Sequence, residues 1–508
     1  MAESTPTKME DLIVIDPNMT RADRIVLEGL IDDMRTGRDY DKEDAAVRDP
    51  DASSDAKKQQ RNKKTQTQKQ KHTPDDSTLA TLDALNDPTS AEFEPSVFTS
   101  WDMRDLQEGV AARRKVAADT GSATTALQVS AAFYGWFHKA VLEPYIGFAQ
   151  RNVVRHETDV IFLTHLMLYF STAVPSAAAL LFWRFSWLHG ILHVVYVLGG
   201  CIGTYTIMMH QHIHQGGILR RDNWLTVTFD RIFPYVMDPL IGHTWNSYFY
   251  HHVKHHHVEG NGPDDLSSTM WFQRDRALDF GKYFGRFFLL AWFDLPIYFV
   301  TTRRYKNAVR AAFWELSSYC LMAGTYVAGK NHLLVTDKGA AVCVFILPFL
   351  ILRIGLMLGN WGQHAFVDPD EPDSDFRSSI TLIDIASNRV CFNDGYHTSH
   401  HLNPRRHWRE HPRAFVAQKK QYAAEQGLVF HGIDYLEITL RLLLFQDYAY
   451  LAKKVVPLGP EQCRMTLDER AAWLRTLTTK FSEEDIARTF PKSRSAAAWR
   501  RKQGLPAL

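Results

Sequence analysis

The chain has 508 residues, enough for more than one domain, and carries 58 basic and 57 acidic side chains for a formal net charge of +1. A charge so close to zero gives no electrostatic basis for binding nucleic acid. The five cysteines are odd in number, widely spaced and without a CxxC pair. This pattern argues against a disulfide framework and against a thiolate zinc site.

Residues 1–125 are polar and biased in composition, and the stretch DAKKQQRNKKTQTQKQKH at 55–72 has almost no apolar side chains. Such segments bury too little apolar surface to fold, so we predict a disordered, cytosolic tail. The first residues, MAESTPTKMEDL, contain no apolar run, and we expect no cleavable signal peptide. Membrane insertion would then use internal segments.

Two long apolar runs follow, DVIFLTHLMLYFSTAVPSAAALLFW at 159–183 and LHGILHVVYVLGGCIGTYTIMM at 188–209. At about 1.5 Å per residue, roughly 20 apolar residues cross the ~30 Å hydrocarbon layer. The two runs are joined by only a few residues. They therefore predict a transmembrane helical hairpin, with a histidine-rich segment directly after the second span.

Three further apolar runs lie at about 283–302, 310–328 and 341–359. If the histidine motifs on either side of them face the same side of the membrane, only two of the three can be spans. The first contains Arg286, Asp294 and Pro296 and precedes the basic segment TTRRYKNAVR. We therefore predict an interfacial or re-entrant element at 283–302, and spans three and four at 310–328 and 341–359. Glu315 in span three would need a polar partner, most simply a structural one.

Histidines are concentrated where these spans end. In HQHIH, His210 and His214 are four residues apart and share one face of a continuing helix, while His212 points elsewhere. YHHVKHHHVEGN at 250–261 has five histidines in seven positions, and we interpret His252, His255 and His256 as an HxxHH motif. YHTSHH repeats that motif at His397, His400 and His401. Imidazole is the commonest protein metal ligand, so this pattern favours a metal site.

GNWGQHAF adds a further pair at the end of span four, where Asn360 and His364 are four residues apart and the amide can hold a metal-bound water. A single histidine often makes only ordinary hydrogen bonds. Three clusters of histidines at the cytosolic ends of predicted spans are not explained by chance and favour a shared metal site. Four histidines are either ligands or partners that orient ligand rings: His212, His243, His251 and His257. Three others, expected on the far side of the membrane, are interpreted as structural: His189, His193 and His332.

The order HxxxH, HxxHH, NxxxH, HxxHH around four spans resembles the membrane fatty acid desaturase superfamily over about residues 155–455. The third motif has His397 where the front-end subgroup typically has Gln, and HHVKHHHVEGN is more similar to the boxes of methyl-end and acyl-lipid enzymes. No HPGG signature of a fused cytochrome b5 is present, the nearest sequence being HQGG at 214–217. Electrons would therefore come from a separate protein.

The resemblance implies an all-α integral membrane protein with four transmembrane helices and a cytosolic helical cap that holds a histidine-rich di-iron site. The expected divisions are a tail at 1–125, a desaturase-like membrane domain at 126–456 and a cytosolic helical tail at 457–508. Within the second, 430–455 is expected to be an amphipathic helix rather than a fifth span. The implied iron ligands are His210, His214, His252, His255, His256, His364, His397, His400 and His401, with Asn360 binding through water.

The resemblance also implies two iron ions, dioxygen as co-substrate, a lipid or fatty acyl substrate, and an electron donor such as cytochrome b5 with its reductase, or ferredoxin. We expect a multi-pass protein of the endoplasmic reticulum with cytosolic termini. The leading function is acyl desaturation. The same scaffold also serves hydroxylases, acetylenases and sphingolipid-type oxidases. A zinc or iron transporter is a third possibility, but transporters need polar ligands within the spans.

Overall fold

The structure is a computed structural model that describes residues 13, 15–16, 19–38, 74–100 and 135–506. The first helices are α1 (Arg21–Thr36), α2 (Pro74–Ala84) and α3 (Glu143–Asn152), the last preceded by a π-helical turn at His138–Leu142. Helices α4 (Val160–Trp183) and α5 (Trp187–Gln215) follow as an antiparallel pair, matching the predicted hairpin. Next come α6 (Trp224–Ile241) and the π-helical α7 (Phe249–His256), which continues as an α-helical turn at His257–Glu259.

Three long helices complete the apolar part of the molecule: α8 (Ala277–Thr301), α9 (Tyr305–Lys330) and α10 (Lys338–Gln363). Four of the described helices are long and apolar enough to cross a membrane, namely α4, α5, α8 and α10. Helix α9 has a similar length but carries Arg310 and Glu315 in its first half. By length and composition, α8 is therefore the candidate membrane span, whereas the sequence prediction placed the third span in α9.

The contacts at the two ends of α8 distinguish it from its neighbours. Near its start, Tyr283 accepts a hydrogen bond from Asn360 at the end of α10, at 2.7 Å. Near its other end, the Tyr298 ring lies 4.0 Å from the His255 ring, and Arg304 donates to the Lys254 carbonyl at 2.8 Å. Helix α8 therefore begins and ends beside the histidine-bearing segments, at the same end of the bundle.

The opposite end of the bundle is formed by two tight turns. The Thr336 backbone N–H, between α9 and α10, donates to the Leu181 carbonyl of α4 at 2.8 Å. A side chain at Gly339 would collide with Phe185, between α4 and α5, so glycine permits this close approach. Helices α4, α5, α9 and α10 thus connect this far end with the histidine end.

The remaining elements form a cap over the histidine end. Its helices are α11 (Asp375–Ser378), α12 (Ala386–Val390), α13 (His397–Leu402), α14 (His411–Ala424), α15 (Tyr435–Leu440), α16 (Tyr448–Lys454), α17 (Gly459–Arg464), α18 (Leu467–Thr476), α19 (Glu483–Thr489) and α20 (Arg494–Lys502). A 3₁₀ turn at Trp408–Glu410 precedes α14, and a π-helical turn at Arg441–Phe445 follows α15.

The fold is predominantly helical, with one small exception to the all-α prediction. Strands β1 (Ile380–Ile383) and β2 (Leu428–His431) pair in parallel, with Ile380 opposite Leu428 and Ile383 opposite His431. Both strands are buried in the cap, and their apolar side chains are divided between two of its hydrophobic clusters. The segment 430–455, expected to be one amphipathic helix, is instead divided among β2, α15 and α16.

Part of the N-terminal region departs from the predicted disordered tail. Helix α1 begins at the N-cap Thr20 and ends at Gly37, which has a positive φ of 60°. It buries Val26, Leu27 and Leu30 in the same hydrophobic cluster as cap residues of α14. Residues 19–38 and 74–100 are therefore folded parts of the cap, because α1 has an apolar face that the biased composition around it conceals. The other residues of 1–125 lie outside the described residues.

Candidate metal centre

The first histidines come from the last turn of α5. His210 and His214 are four residues apart on one helical face, with ring centroids 4.8 Å apart. Helix α5 stops immediately afterwards because Gly216 adopts a left-handed conformation with φ 68°. The pair therefore lies where the apolar helix reaches the cap.

The second group of histidines lies on the π-helical α7. A π-helix closes i to i+5 hydrogen bonds, as seen where the His257 N–H bonds the His252 carbonyl. The wider turn brings residues four and five apart onto one face, so His252, His256 and His257 point the same way. His255, which an α-helix would place on that face, points away. The motif in the structure is HxxxHH rather than the predicted HxxHH.

The third group comes from the end of α10 and from α13. His364 directly follows α10, and Asn360 lies on its last turn. Helix α13 carries His397, His400 and His401, all buried. The short helix begins from a turn bonded to β1, where the Leu382 N–H donates to the Gly395 carbonyl at 2.7 Å.

Five of these side chains form a group, which we call the five-histidine group, with one ligand atom from each within 4.8 Å of the others: His210, His214, His252, His257 and His400. The His210 Nε2 lies 2.8 Å from that of His252 and 3.0 Å from that of His400. The His257 Nε2 lies 3.0 Å from that of His252 and 2.8 Å from that of His400. Two nitrogens that bind one divalent ion at about 2.1 Å and at right angles would lie roughly 3 Å apart.

A second group, the three-histidine group, joins His256, His364 and His401 by the same measure. His397 lies beside it, with its Nε2 at 3.2 Å from that of His364 and 3.1 Å from that of His401. The adjacent histidines 256 and 257, and likewise 400 and 401, are divided between the two groups. Any ions held by the two groups would therefore be close neighbours.

The outer ring nitrogens of the three-histidine group face hydrogen-bond acceptors. The His256 Nδ1 lies 2.6 Å from Asp265 Oδ2, and the His364 Nδ1 lies 2.7 Å from the Ser378 carbonyl. The His401 Nδ1 lies 3.6 Å from Asp375 Oδ1. With the proton held at Nδ1, the Nε2 lone pair is left facing the centre of the group, which is how metal-binding histidines are oriented.

Electrostatics favours neutral imidazoles at this site. Burial is the main cause that lowers the pKa of His252, His364 and His400 well below the ordinary imidazole value, and neighbouring histidines lower it further. Burial would raise the pKa of Asp265, but His256 and His255 outweigh that effect and hold it well below its usual range. Neutral rings with converging lone pairs and a buried carboxylate behind them fit a divalent transition metal.

Two predicted ligands are placed differently from the others. The His255 Nε2 accepts a hydrogen bond from the Leu266 N–H at 2.8 Å, outside both groups. The Asn360 amide donates to the Ser267 carbonyl at 3.0 Å and to Tyr283, and no donor among the described residues reaches its Oδ1. That oxygen remains available to a water molecule.

The histidines that the sequence left open separate into distinct environments. His257 is part of the five-histidine group. The His212 Nε2 lies 3.0 Å from the Asp230 carbonyl, and the His243 Nε2 lies 3.0 Å from Thr206 Oγ1. The His251 ring packs 5.2 Å from the Phe287 ring on the other face of α7.

The three histidines interpreted as structural contact ordinary hydrogen-bonding groups away from both groups. His189 and His193 both bond Ser176 Oγ, at 2.9 and 3.0 Å, and the His332 Nδ1 lies 2.9 Å from the Thr336 carbonyl. Asp265 and Asp375 are not among the site residues predicted from the sequence. For Asp265, the only indication in the sequence is that an acidic residue follows His256 by 9 positions. For Asp375 there is no such indication.

A cavity of about 470 Å³ adjoins the histidines. Its upper wall includes His210, His252, His256 and His397, and its remaining walls come mainly from apolar residues of α5, α8 and α10. Polar side chains also line it, among them Thr206, Asp394 and Glu315. Glu315 is paired with Arg353 and accepts a hydrogen bond from Tyr319 at 2.6 Å. The volume lies in the range of small-molecule sites.

Comparison with known proteins agrees with this arrangement. Residues 185–433 match the family described as fatty acid desaturase, a region that contains every histidine of both groups. No curated protein and no solved structure gives a significant match. With its histidine clusters and its apolar helices, the chain belongs to the fatty acid desaturase superfamily.

Proposed function

We propose that the protein catalyses oxygen-dependent desaturation of a fatty acyl chain, as acyl-lipid or acyl-CoA, at a di-iron centre. The observation that carries the proposal is the pair of adjacent histidine groups, in each of which the ring nitrogens lie within 4.8 Å of one another beside a largely apolar cavity. A lone histidine cluster would suit many metal proteins. Two clusters with shared helices, next to a cavity for a hydrocarbon chain, suit an oxidase of lipids.

The proposed ligand set follows the geometry rather than the original motif. It comprises His210, His214, His252, His257 and His400 for one ion, and His256, His364, His397 and His401 for the other, with Asn360 acting through water. It differs from the sequence prediction by exchanging His255 for His257. The exchange rests on the π-helical register of α7.

Bound iron would supply the activation of dioxygen and the removal of hydrogen from an unactivated C–H bond. The chain's own residues hold the ions, place the substrate and exclude water. Asp265 and the Ser378 carbonyl keep the Nδ1 protons of His256 and His364, so the rings stay oriented. The apolar walls of α5, α8 and α10 would hold the acyl chain against the histidine end of the cavity. Electrons would come from a separate cytochrome b5 with its reductase, or from ferredoxin.

The proposal includes a topology. Helices α4, α5, α9 and α10 cross the membrane, and α8 lies at the cytosolic interface with both ends beside the histidines. The contacts of Tyr283, Tyr298 and Arg304 support this assignment. Both termini would be cytosolic in a multi-pass protein of the endoplasmic reticulum.

The test is expression in a host with its own cytochrome b5 and reductase, followed by mass spectrometry of total fatty acids. The control is the double variant His397→Ala/His400→Ala. A product lighter by two hydrogens, absent with the control, is the expected result. A product heavier by one oxygen would replace desaturation by hydroxylation on the same scaffold. Metal uptake without any lipid product would favour the transporter.

A further inference from the structure

The N-terminal helix α1 contributes one buried carboxylate to the part of the cap that carries the third histidine motif. Asp23 lies in the first turn of α1, and its side chain is completely buried. Its Oδ1 accepts a hydrogen bond from the Tyr396 hydroxyl at 2.7 Å. Its Oδ2 accepts from Asn388 Nδ2 at 3.0 Å and from the Asp384 N–H at 3.2 Å.

These partners surround the start of α13. Tyr396 immediately precedes His397, and its carbonyl accepts the first helical hydrogen bond, from the His400 N–H at 3.0 Å. Asn388 is completely buried and accepts from the Gly395 N–H at 2.8 Å while it donates to the Leu382 carbonyl at 3.1 Å. A side chain on Gly395 would lie 2.4 Å from that carbonyl, so only glycine fits in this closely packed turn.

We propose that Asp23 is a positioning residue for the metal centre: through Tyr396 and Asn388 it fixes the turn before α13, and thereby the rings of His397, His400 and His401. The inference rests on the proposed function, because it assigns a role toward the same metal ions. A buried carboxylate costs solvation free energy, so its three hydrogen bonds indicate a specific structural task rather than incidental packing. Burial raises the pKa of Asp23, and the bonds from Asn388 and Tyr396 oppose that rise.

The same N-terminal region is attached to the cap at a second point that does not involve the histidine segment. Lys419 of α14 is buried and forms ion pairs with Asp33 of α1 and Asp75 of α2. This anchor makes a comparison possible. If α1 only needs to be attached, weakening either anchor should have the same effect on the metals.

The experiment measures the rate at which Fe(II), loaded into the full-length purified protein, is released to an excess of chromogenic chelator. In Asp23→Asn, an NH₂ group faces the donors of Asn388 and Asp384, or after a flip faces Tyr396. Release should accelerate about tenfold, as is typical when a residue that orients a ligand is changed. Tyr396→Phe removes the same bond with almost no change of shape and should accelerate release similarly. Tyr396→Phe also tests the proposal if Asp23→Asn does not fold.

The double variant distinguishes positioning from general weakening. If Tyr396 acts through its bond to Asp23, Asp23→Asn/Tyr396→Phe should release iron no faster than Asp23→Asn does alone. Asp33→Asn, at the other anchor, and Asp32→Asn, on the exposed face of α1, should both stay within about twofold of the wild type.

The cobalt-substituted protein gives a second readout, because its visible absorption bands depend on ligand geometry. They should change in Asp23→Asn and Tyr396→Phe but not in Asp32→Asn. Wild-type release rates in both test variants, or equal acceleration in Asp33→Asn, would overturn the proposal. A wild-type protein that binds no iron would instead overturn the proposed function.

Discussion

His255 and His257 are two residues apart on α7 but have different surroundings. The His257 Nε2 lies about as close to its neighbours in the five-histidine group as ligands of one ion do, whereas the His255 Nε2 is occupied by the Leu266 N–H. The difference follows from the π-helical turn, which adds one residue between His252 and the rings that share its face.

A matched pair of substitutions tests this difference. His257→Gln should lose one of the two ions that we propose and reduce activity by about 100-fold or more, the upper end of the loss seen when only a partner of a metal ligand is changed. His255→Gln should keep both ions and most of the activity, because a glutamine oxygen can still accept from the Leu266 N–H. Iron content by elemental analysis and product formation are the measurements. Retention of both ions in His257→Gln, or loss of an ion in His255→Gln, would instead support the HxxHH motif, with His255 as a ligand.

Asp265 carries a second prediction at the scale of single residues. Its carboxylate accepts a hydrogen bond from His256 Nδ1 at 2.6 Å, and the Asp265 side chain is completely buried. Asp265→Asn removes the charge behind the ring and should weaken binding of the ion that we propose for the three-histidine group by about 10- to 100-fold. Chelator competition should then show one weak and one unchanged site.

Asp264→Asn is the control for this substitution. It makes the same change one residue away, where the carboxylate instead accepts from the Arg494 N–H at 2.7 Å at the start of α20. Iron binding in Asp264→Asn should equal that of the wild type. Equal weakening in both variants would mean that the whole 264–265 loop matters, and not the bond to His256.

The residues that the sequence could and could not identify differ in a physical way. The shared helical face of His210 and His214 was predictable because α5 continues as an ordinary helix through both residues. The HHVKHHH segment contains two overlapping motifs, and only the backbone hydrogen bonding of α7 selects between them. The contact between Asp265 and His256 depends on the fold, and the sequence around Asp265 gives no periodic signal of it.

At the scale of elements, helices α9 and α10 are joined by a buried ion pair. Glu315 pairs with Arg353, and the carboxylate also accepts from Ser247 and Tyr319. A glutamate within an apolar helix needs a polar partner, and Arg353 is that partner for Glu315. The partner was not identifiable from sequence, because Arg353 stands in an apolar run whose own pairing depends on how the helices pack.

Removing one member of this ion pair should destabilise the fold more than replacing both members by uncharged residues. Glu315→Gln leaves the Arg353 guanidinium without its counter-charge and should destabilise the protein by about 3–5 kcal/mol. The double variant Glu315→Gln/Arg353→Met should recover much of that loss, since no unpaired charge remains. Thermal unfolding in detergent measures both. A double variant less stable than Glu315→Gln would show that Arg353 stabilises the fold through its contacts with the Phe287 and Phe349 rings instead.

Helix α1 shows the limit of composition as a guide to an element. Its apolar residues recur at helical spacing between an N-cap threonine and a C-terminal glycine, which is a recognisable helix pattern. The surrounding polar residues lowered the average so far that the whole region was assigned to a tail. What made the helix stable is a partner surface in the cap, distant in sequence, and a local window does not contain that information.

For the whole molecule, the predicted topology depends on one assumption, that all the histidine motifs lie on the same side of the membrane. That assumption made α8 interfacial although its composition alone suits a span. The contacts of Tyr283 with Asn360 and of Arg304 with Lys254 place both ends of α8 near the histidines. Side-specific labelling can therefore decide between a crossing and a surface helix.

Three single cysteines test this topology in sealed microsomes with a membrane-impermeant maleimide. Lys282→Cys lies near the start of α8, Tyr305→Cys lies at the start of α9 just after α8 ends, and Asn331→Cys lies in the turn after α9, all at exposed positions. The background carries Cys320→Ser and Cys463→Ser, which removes the two exposed native thiols. Because an interfacial α8 returns to the side from which it started, Lys282→Cys and Tyr305→Cys should react without detergent. Asn331→Cys should react only after permeabilisation. If α8 crosses instead, the labelling of Lys282→Cys and Tyr305→Cys will differ, and the two ends of the helix would then need to separate from the histidines that they contact.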